Sequence, residues 1–250
     1  MRLKDKVAII TGSGGGLGLA MAIRYVAEGA KVVIADINDP RAVAATVAGE
    51  DRVLPIITDV ADENSVARMA NAALEKFGRI DILVNNAAIS STLPLQPFDK
   101  IKVADWRRVM DVNAMGTFLC SRSVVSQMRK QKSGRILNFI SGTVYRGSPF
   151  NLHYVSSKGA ILALTRALAN ELGGDNILVN AISPGFTLTK GMAENPSYSP
   201  EFLKMIVASR ALKREEYAAD IVGTAVFLVS EDANFITGQI VSVDGGATFH

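Results

Sequence analysis

Short apolar runs rich in Val and Ile alternate along the chain with stretches whose apolar residues recur at helical spacing. The runs at 6–11 (KVAIIT), 31–36 (KVVIAD), 52–57 (RVLPII), 81–86 (DILVNN), 135–140 (RILNFI), 177–183 (ILVNAIS) and 239–244 (QIVSVD) are apolar at successive positions. Such strands are buried on both faces, as parallel strands covered by helices are. Helical patterns fill the intervals at 17–28, 41–48, 63–77, 103–131, 154–172 and 216–230. Alternating strand and helix predict one α/β domain over 1–250, a doubly wound parallel sheet of about seven strands flanked by helices. The pattern weakens only at 186–215, which carries Gly191, Pro196 and Pro200 and room for a short helix at 200–208. A loop of that length inside a compact domain is expected to be a substrate-binding lid.

Composition narrows the function classes. The net charge of +3 is modest, and Arg129, Lys130 and Lys132 cluster at a predicted helix C-terminus, where cations complement the dipole. No nucleic-acid partner is expected from them. No apolar run is long enough to span a bilayer. Cys120, the only cysteine, permits no internal disulfide and reads as a small core residue. With an N-terminus that lacks an apolar signal core, this suits a cytoplasmic location. His153 and His250 show no metal-ligand spacing, so no metal is expected.

Three features carry chemistry. The first strand runs into TGSGGGLGLAMAI, where Gly12, Gly16 and Gly18 provide a tight turn, close approach of backbone to a pyrophosphate, and close helix–strand packing. The free N–H groups of the following helix would face the phosphates. The second strand ends at Asp36, placed to accept the ribose hydroxyls of an adenosine. Finally, Tyr154 and Lys158 lie four apart on a helical stretch, one above the other on the same face. A phenol titrates near 10, and a fixed cation beside it favours phenolate. One charge about 5 Å away contributes roughly 3 kcal/mol at an effective dielectric of 20. Lys158 is therefore expected to lower the Tyr154 pKa.

Together these residues resemble the short-chain dehydrogenase/reductase family, and the resemblance runs the length of the chain. The family's T-G-x-x-x-G-x-G turn is met by Thr11, Gly12, Gly16 and Gly18, and its N-N-A-G by Asn85, Asn86, Ala87 and Ala88, with Ala in the last place. Its catalytic Asn and Ser fall on Asn113 and Ser141, its Y-x-x-x-K on Tyr154 and Lys158, and its P-G turn on Pro184 and Gly185. The resemblance implies a Rossmann-type fold and NAD-dependent interconversion of a secondary alcohol and a ketone. It implies Tyr154 as acid–base, Lys158 on the nicotinamide ribose, Ser141 on the substrate oxygen and Asn113 on a water linking Lys158 to solvent. NAD is expected on Gly12, Ser13, Gly16, Leu17, Gly18, Asp36, Asp59, Val60, Asn86, Ala87, Tyr154, Lys158, Pro184, Gly185, Thr187 and Thr189. Thr143, Tyr145, Phe150, Phe186, Leu188 and Met192, with Ser141, are expected to line a mostly apolar pocket for a neutral cyclic or aromatic substrate. A homotetramer is also implied. Two other readings stand beside this one: a 3-oxoacyl-[acyl-carrier-protein] reductase, and a catalytically silent NAD-binding sensor.

Overall fold

The computed structural model describes residues 1–249, so His250 lies outside the described residues. The seven strands are β1 (Val7–Thr11), β2 (Lys31–Asp36), β3 (Val53–Ile57), β4 (Ile82–Asn85), β5 (Gly134–Phe139), β6 (Ile177–Pro184) and β7 (Ile240–Val243). All pair in parallel, in the order β3-β2-β1-β4-β5-β6-β7. Chain order reverses between β1 and β4, and the crevice outside the carboxyl ends of such a pair is where open α/β sheets bind ligands. Pro55 sits in β3, at the sheet edge, where its missing N–H breaks no ladder.

Two layers cover the sheet. On one face lie α1 (Gly16–Ala27), α2 (Arg41–Val47) and α10 (Ala218–Val229), whose Met21, Tyr25, Ala44, Ile221 and Val226 pack with Ile10, Ile34 and Val84 of the strands. On the other lie α3 (Glu63–Phe77), α5 (Gly116–Gln131) and α7 (Leu152–Leu172), which bring Met69, Val124 and Leu172 against Ile9, Leu83 and Val179. The predicted doubly wound single layer of parallel strands is thus observed. α3 shows why the helix limits were readable: the Asp62 carboxylate caps the Asn64 and Ser65 N–H groups, and Gly78 ends the helix at φ 76°. Cys120 is buried in the α5 side of the core, and burial pushes its thiol up to about 12.

The expected single helix over 103–131 is three segments. α4 (Val103–Met110) passes through a π turn at Asp111–Met115 into α5. The fully buried Asn113 sits in that turn. Its Oδ1 accepts from the Ile89 N–H at 2.8 Å, and its Nδ2 donates to the Ile89 carbonyl at 3.2 Å and to Ser157 Oγ at 3.0 Å. Gly116, at the end of the turn, lets the helix pass Val60, whose Cγ2 would lie 2.8 Å from an added Cβ. A widened turn is a common device for aiming one side chain at a site. The expected lid, 186–215, holds two short helices, α8 (Lys190–Ala193) and α9 (Pro200–Ala208). A four-residue helix at Thr143–Arg146, α6, completes the set.

Among the described residues no group of three or more His, Cys, Asp or Glu side chains is placed to share a metal ion. No helix among them is long and apolar enough to cross a membrane.

Because Asn113 is, among the described residues, the side chain joining Ile89 to Ser157, Asn113→Ala leaves the part-buried Ile89 N–H and carbonyl without this partner. It is expected to lower unfolding stability by about 2–3 kcal/mol, measured by urea unfolding; a change under about 0.5 kcal/mol would show that other groups replace it.

Candidate active site

Thr11 ends β1 by joining two strands. Its Oγ1 donates to the Val84 carbonyl at 3.3 Å and accepts from the Asn86 and Ala87 N–H groups at 3.2 and 3.1 Å. Asn86 returns the contact, its Nδ2 donating to the Thr11 and Gly12 carbonyls at 2.9 Å. The glycine turn fits beneath this lock. A Cβ on Gly12 would meet Ala87 Cα at 2.7 Å, and one on Gly18 would meet the Gly12 carbonyl at 2.3 Å. Gly12 and Gly16 also take φ values of 63° and 54°, where side chains are strained. α1 opens without a side-chain cap, so its first N–H groups remain available to an anion. Asp36 lies across the turn: its Oδ2 accepts from the Gly14 N–H at 2.9 Å and its Oδ1 from the Asn38 N–H at 3.0 Å.

A cavity of about 640 Å³ runs from this turn to α7. That volume lies within the usual 300–1,000 Å³ of small-molecule and cofactor sites. An uncapped helix start, a cradle only glycine fills and an acidic strand end suit a dinucleotide. The cavity wall includes, of the expected cofactor residues, Gly12, Gly16, Leu17, Asp36, Asp59, Val60, Asn86, Ala87, Tyr154, Lys158, Pro184, Gly185, Thr187 and Thr189. Ser13 and Gly18 do not reach it. Ser13 is fully buried, its hydroxyl donating to the Ile10 carbonyl at 2.6 Å and accepting from the Ala35 N–H at 3.2 Å, so it ties β1 to β2. Gly18 serves the packing of α1 against the turn.

Ser141, Tyr154 and Lys158 face the same cavity from the end of β5 and the first turns of α7. Lys158 is 3% exposed; its Nζ donates to the Phe139 carbonyl at 2.8 Å and lies 5.7 Å from the centre of the Tyr154 ring. Burial pushes this ammonium down to about 8. The expected lowering of the Tyr154 pKa is not found. Burial dominates and pushes the phenol up to about 12; the Ser141 hydrogen bond opposes it, and nearby Tyr198 adds to it. Thr143 donates to Ser141 Oγ from its hydroxyl at 3.0 Å and its N–H at 3.3 Å, which orients that oxygen.

Asn113 does not line the cavity. Its amide is fully engaged by Ile89 and Ser157, and its carbonyl accepts from Thr117 Oγ1 at 2.7 Å. Through these bonds the side chain ties the loop after β4 to α7. Ser157 carries that tie onward, donating to the Tyr154 carbonyl at 2.7 Å.

Of the expected substrate residues, only Ser141 and Met192 are in the cavity wall. Thr143 stands behind Ser141. Tyr145 packs with Ile140, Ile161 and Ala181 in a separate small core. Phe150 is 55% exposed, with φ 65°, and contributes its carbonyl to the Gln96 N–H at 2.9 Å. Leu188 lies off the cavity wall, and its N–H donates to the Glu216 carbonyl at 2.7 Å. Phe186 meets Tyr198 edge-on at 4.8 Å and Phe202 at 5.9 Å, in an aromatic group that neighbours Tyr154 through Tyr198. The sequence reading missed Tyr198, and with it Thr58, Ile89, Ser90, Ser91 and Arg108 of the cavity wall. Thr58 follows β3, and Ile89, Ser90 and Ser91 lie in the loop after β4, so the rule that ligands sit at carboxyl strand ends was a usable signal for these; Tyr198 and Arg108 have none in sequence.

Residues 12–248 match the family described as enoyl-(acyl carrier protein) reductase. The chain is similar to the (2S)-[(R)-hydroxy(phenyl)methyl]succinyl-CoA dehydrogenase subunit BbsD of Thauera aromatica, at 39% identity with 98% of each chain covered. Among solved structures it superposes on levodione reductase with a TM-score of 0.91, at 33% identity and 98% coverage of both chains. It also superposes on a 3-ketoacyl-(acyl-carrier-protein) reductase from Brucella melitensis complexed with NADH, with a TM-score of 0.90, 35% identity, and 99% and 100% coverage. With the glycine turn, the serine and the Tyr–Lys pair assembled on one cavity, the chain belongs to the short-chain dehydrogenase/reductase family, nicotinamide-dependent oxidoreductases acting on CH–OH or ketone groups.

Proposed function

We propose that the protein is an NAD-dependent dehydrogenase/reductase that interconverts a neutral secondary alcohol and its ketone, with a cyclic or aromatic ring in the substrate. The convergence of Ser141, Tyr154 and buried Lys158 on the cavity that begins at the glycine turn carries this reading. The turn from Gly12 to Gly18, Asp36, Lys158, Pro184, Gly185 and Thr187 are the residues that would hold the cofactor. A bound nicotinamide supplies the hydride acceptor or donor. Ser141 holds the substrate oxygen, with its own hydroxyl oriented by Thr143. Tyr154 removes the hydroxyl proton in oxidation and returns it in reduction. The Lys158 charge favours the phenolate form that oxidation needs. The Phe186–Tyr198–Phe202 group beside Tyr154 supports an apolar, ring-bearing substrate. A screen of alcohols by NADH absorbance tests it, with turnover expected on cyclic or aromatic alcohols; turnover confined to carrier-bound 3-oxoacyl substrates would overturn it.

The exposed Phe118 on α5, flanked by Val125 and Leu168, supports a homotetramer with two-fold axes. Light scattering at micromolar concentration is expected to give four chains; a monomer would reject it.

Tyr154→Phe removes only the hydroxyl, so kcat is expected to fall about 10²–10⁴-fold while NADH affinity stays within about threefold. Because the buried phenol titrates above its ordinary value, the base form is scarce at neutral pH. Oxidation kcat/KM is therefore expected to rise with pH from about 7 toward about 8, where Lys158 begins to lose its charge, and reduction, whose acid form stays populated below about 12, to stay nearly flat over that span. Stopped-assay profiles in both directions check the sign; a flat oxidation profile would remove Tyr154 as the base.

NAD is expected to be preferred over NADP by about 100-fold in kcat/KM. A 2′-phosphate adds about 1.5–2 negative charges beside Asp36, and unit charges about 4 Å apart repel by roughly 4 kcal/mol at an effective dielectric of 20. Screening about halves this, leaving roughly a hundredfold. Arg41, the nearest following cation, is held by Asp39 through its Nε at 2.9 Å, and Asp39 itself lines the cavity. Asp36→Ala is expected to bring the ratio within about tenfold of unity; an unchanged ratio would separate Asp36 from cofactor choice.

A further inference from the structure

Behind the nicotinamide end of the cavity lies a buried acid that the reaction above does not use. Glu216 is 5% exposed and pairs with Thr187 in an isolated parallel bridge. Thr187 Oγ1 donates to Glu216 Oε1 at 2.6 Å, while Oε2 has no hydrogen-bond partner among the described residues. That second oxygen faces the P-G turn, where a Cβ on Gly185 would lie 2.4 Å from it. Burial pushes the carboxyl up, with Asp244 and Asp220 acting the same way; the Thr187 hydrogen bond and the Arg210 charge oppose them. Arg210 is itself buried and donates to the Phe186 and Arg214 carbonyls at 2.7 and 3.1 Å, so it is fixed close by.

The direction of the Thr187 hydrogen bond has a chemical consequence. A hydroxyl has one proton to donate and two lone pairs. With its proton spent on Oε1, the Thr187 oxygen offers the cavity only acceptor capacity. The hydroxyl keeps this direction as long as Oε1 carries no proton, as in the carboxylate or in an acid protonated on Oε2. A carboxamide N–H is the complementary partner, and a nicotinamide carries two.

We propose that Glu216 is a positioning residue for the nicotinamide end of the cofactor: it turns the Thr187 hydroxyl inward and presents Thr187 Oγ1 to the cavity as an acceptor for the carboxamide N–H. This rests on the nicotinamide reading above. The discriminating ligand is ADP-ribose, which keeps the adenosine and pyrophosphate and lacks the nicotinamide. Binding of NADH, by fluorescence, and of ADP-ribose, by calorimetry, is compared for the wild type, Glu216→Gln, Glu216→Ala and Glu216→Met. Ala and Met are expected to weaken NADH about tenfold or more, as loss of a hydrogen bond to an acid does, and to leave ADP-ribose within about twofold. Gln, whose amide oxygen still accepts, is expected to stay within about threefold of wild type for both ligands. Met fills the volume that Ala vacates, so it decides the matter where Ala does not fold. Equal weakening of both ligands, unchanged NADH affinity, a Gln variant as weak as Ala, or failure of both Ala and Met to fold would overturn the positioning role. A wild type that binds ADP-ribose and not NADH would overturn the nicotinamide reading itself.

Discussion

The site depends on the lock between the ends of β1 and β4. These neighbours are the strands at which chain order reverses, so the helices that follow them leave on opposite faces and open a crevice. A crevice exposes backbone N–H and C=O groups that must find partners. Thr11 and Asn86 supply them across the gap, five hydrogen bonds in all, counting two from Asn86 Nδ2 and three at Thr11 Oγ1. With that lock in place Gly12 can press within contact of Ala87, and α1 can start with its N-terminus aimed at the cavity. The glycines are thus the consequence of a lock that leaves no room for side chains.

A second constraint is the buried lysine. Sinking an ammonium to 3% exposure is costly, and the fold offers one carbonyl, that of Phe139, to offset it. The strand end that carries this carbonyl also carries Ser141 two residues on. One piece of backbone therefore fixes both the cation and the hydroxyl that flank Tyr154. Asn113 adds stiffness from the opposite side: it binds Ser157, and Ser157 binds the Tyr154 carbonyl. Tyr154 is thus tied to groups on β5, α7 and the π turn.

What was legible in the sequence was local. The glycine turn, Asp36 and the Tyr154–Lys158 pair lie within single turns or single helices, and their spacing alone defines their geometry. Apolar runs revealed every strand, and the five inner ones are largely buried on both faces. What the sequence hid was tertiary. No Gly or Pro marks the π turn within 103–115, and Asn113 inside it bonds to residues 24 and 44 positions away. Phe150 and Tyr145 looked like pocket walls because they are aromatic and near Ser141 in sequence, yet one is exposed and the other joins a different core. The lowered Tyr154 pKa failed for a similar reason: the helix places the charge correctly, and only the fold decides how much water the phenol loses.

The segment over the cavity shows how such tertiary contacts divide their work. At its base Arg210 grips the Phe186 carbonyl and Glu216 grips Thr187, both from buried positions. At its tip Asn195 reaches across to the Ser91 and Leu93 carbonyls at 2.6 and 3.1 Å, in partly buried contacts. Hydrogen bonds shielded from water are harder to exchange than those at the rim. The base therefore holds Pro184, Gly185 and Thr187 in register with β6, while at the tip Asn195 bears on the loop after β4 and Tyr198 packs back on Phe186. Thr189, Lys190, Gly191 and Met192, between base and tip, line the cavity, so this part of its wall joins a buried support to a partly buried contact.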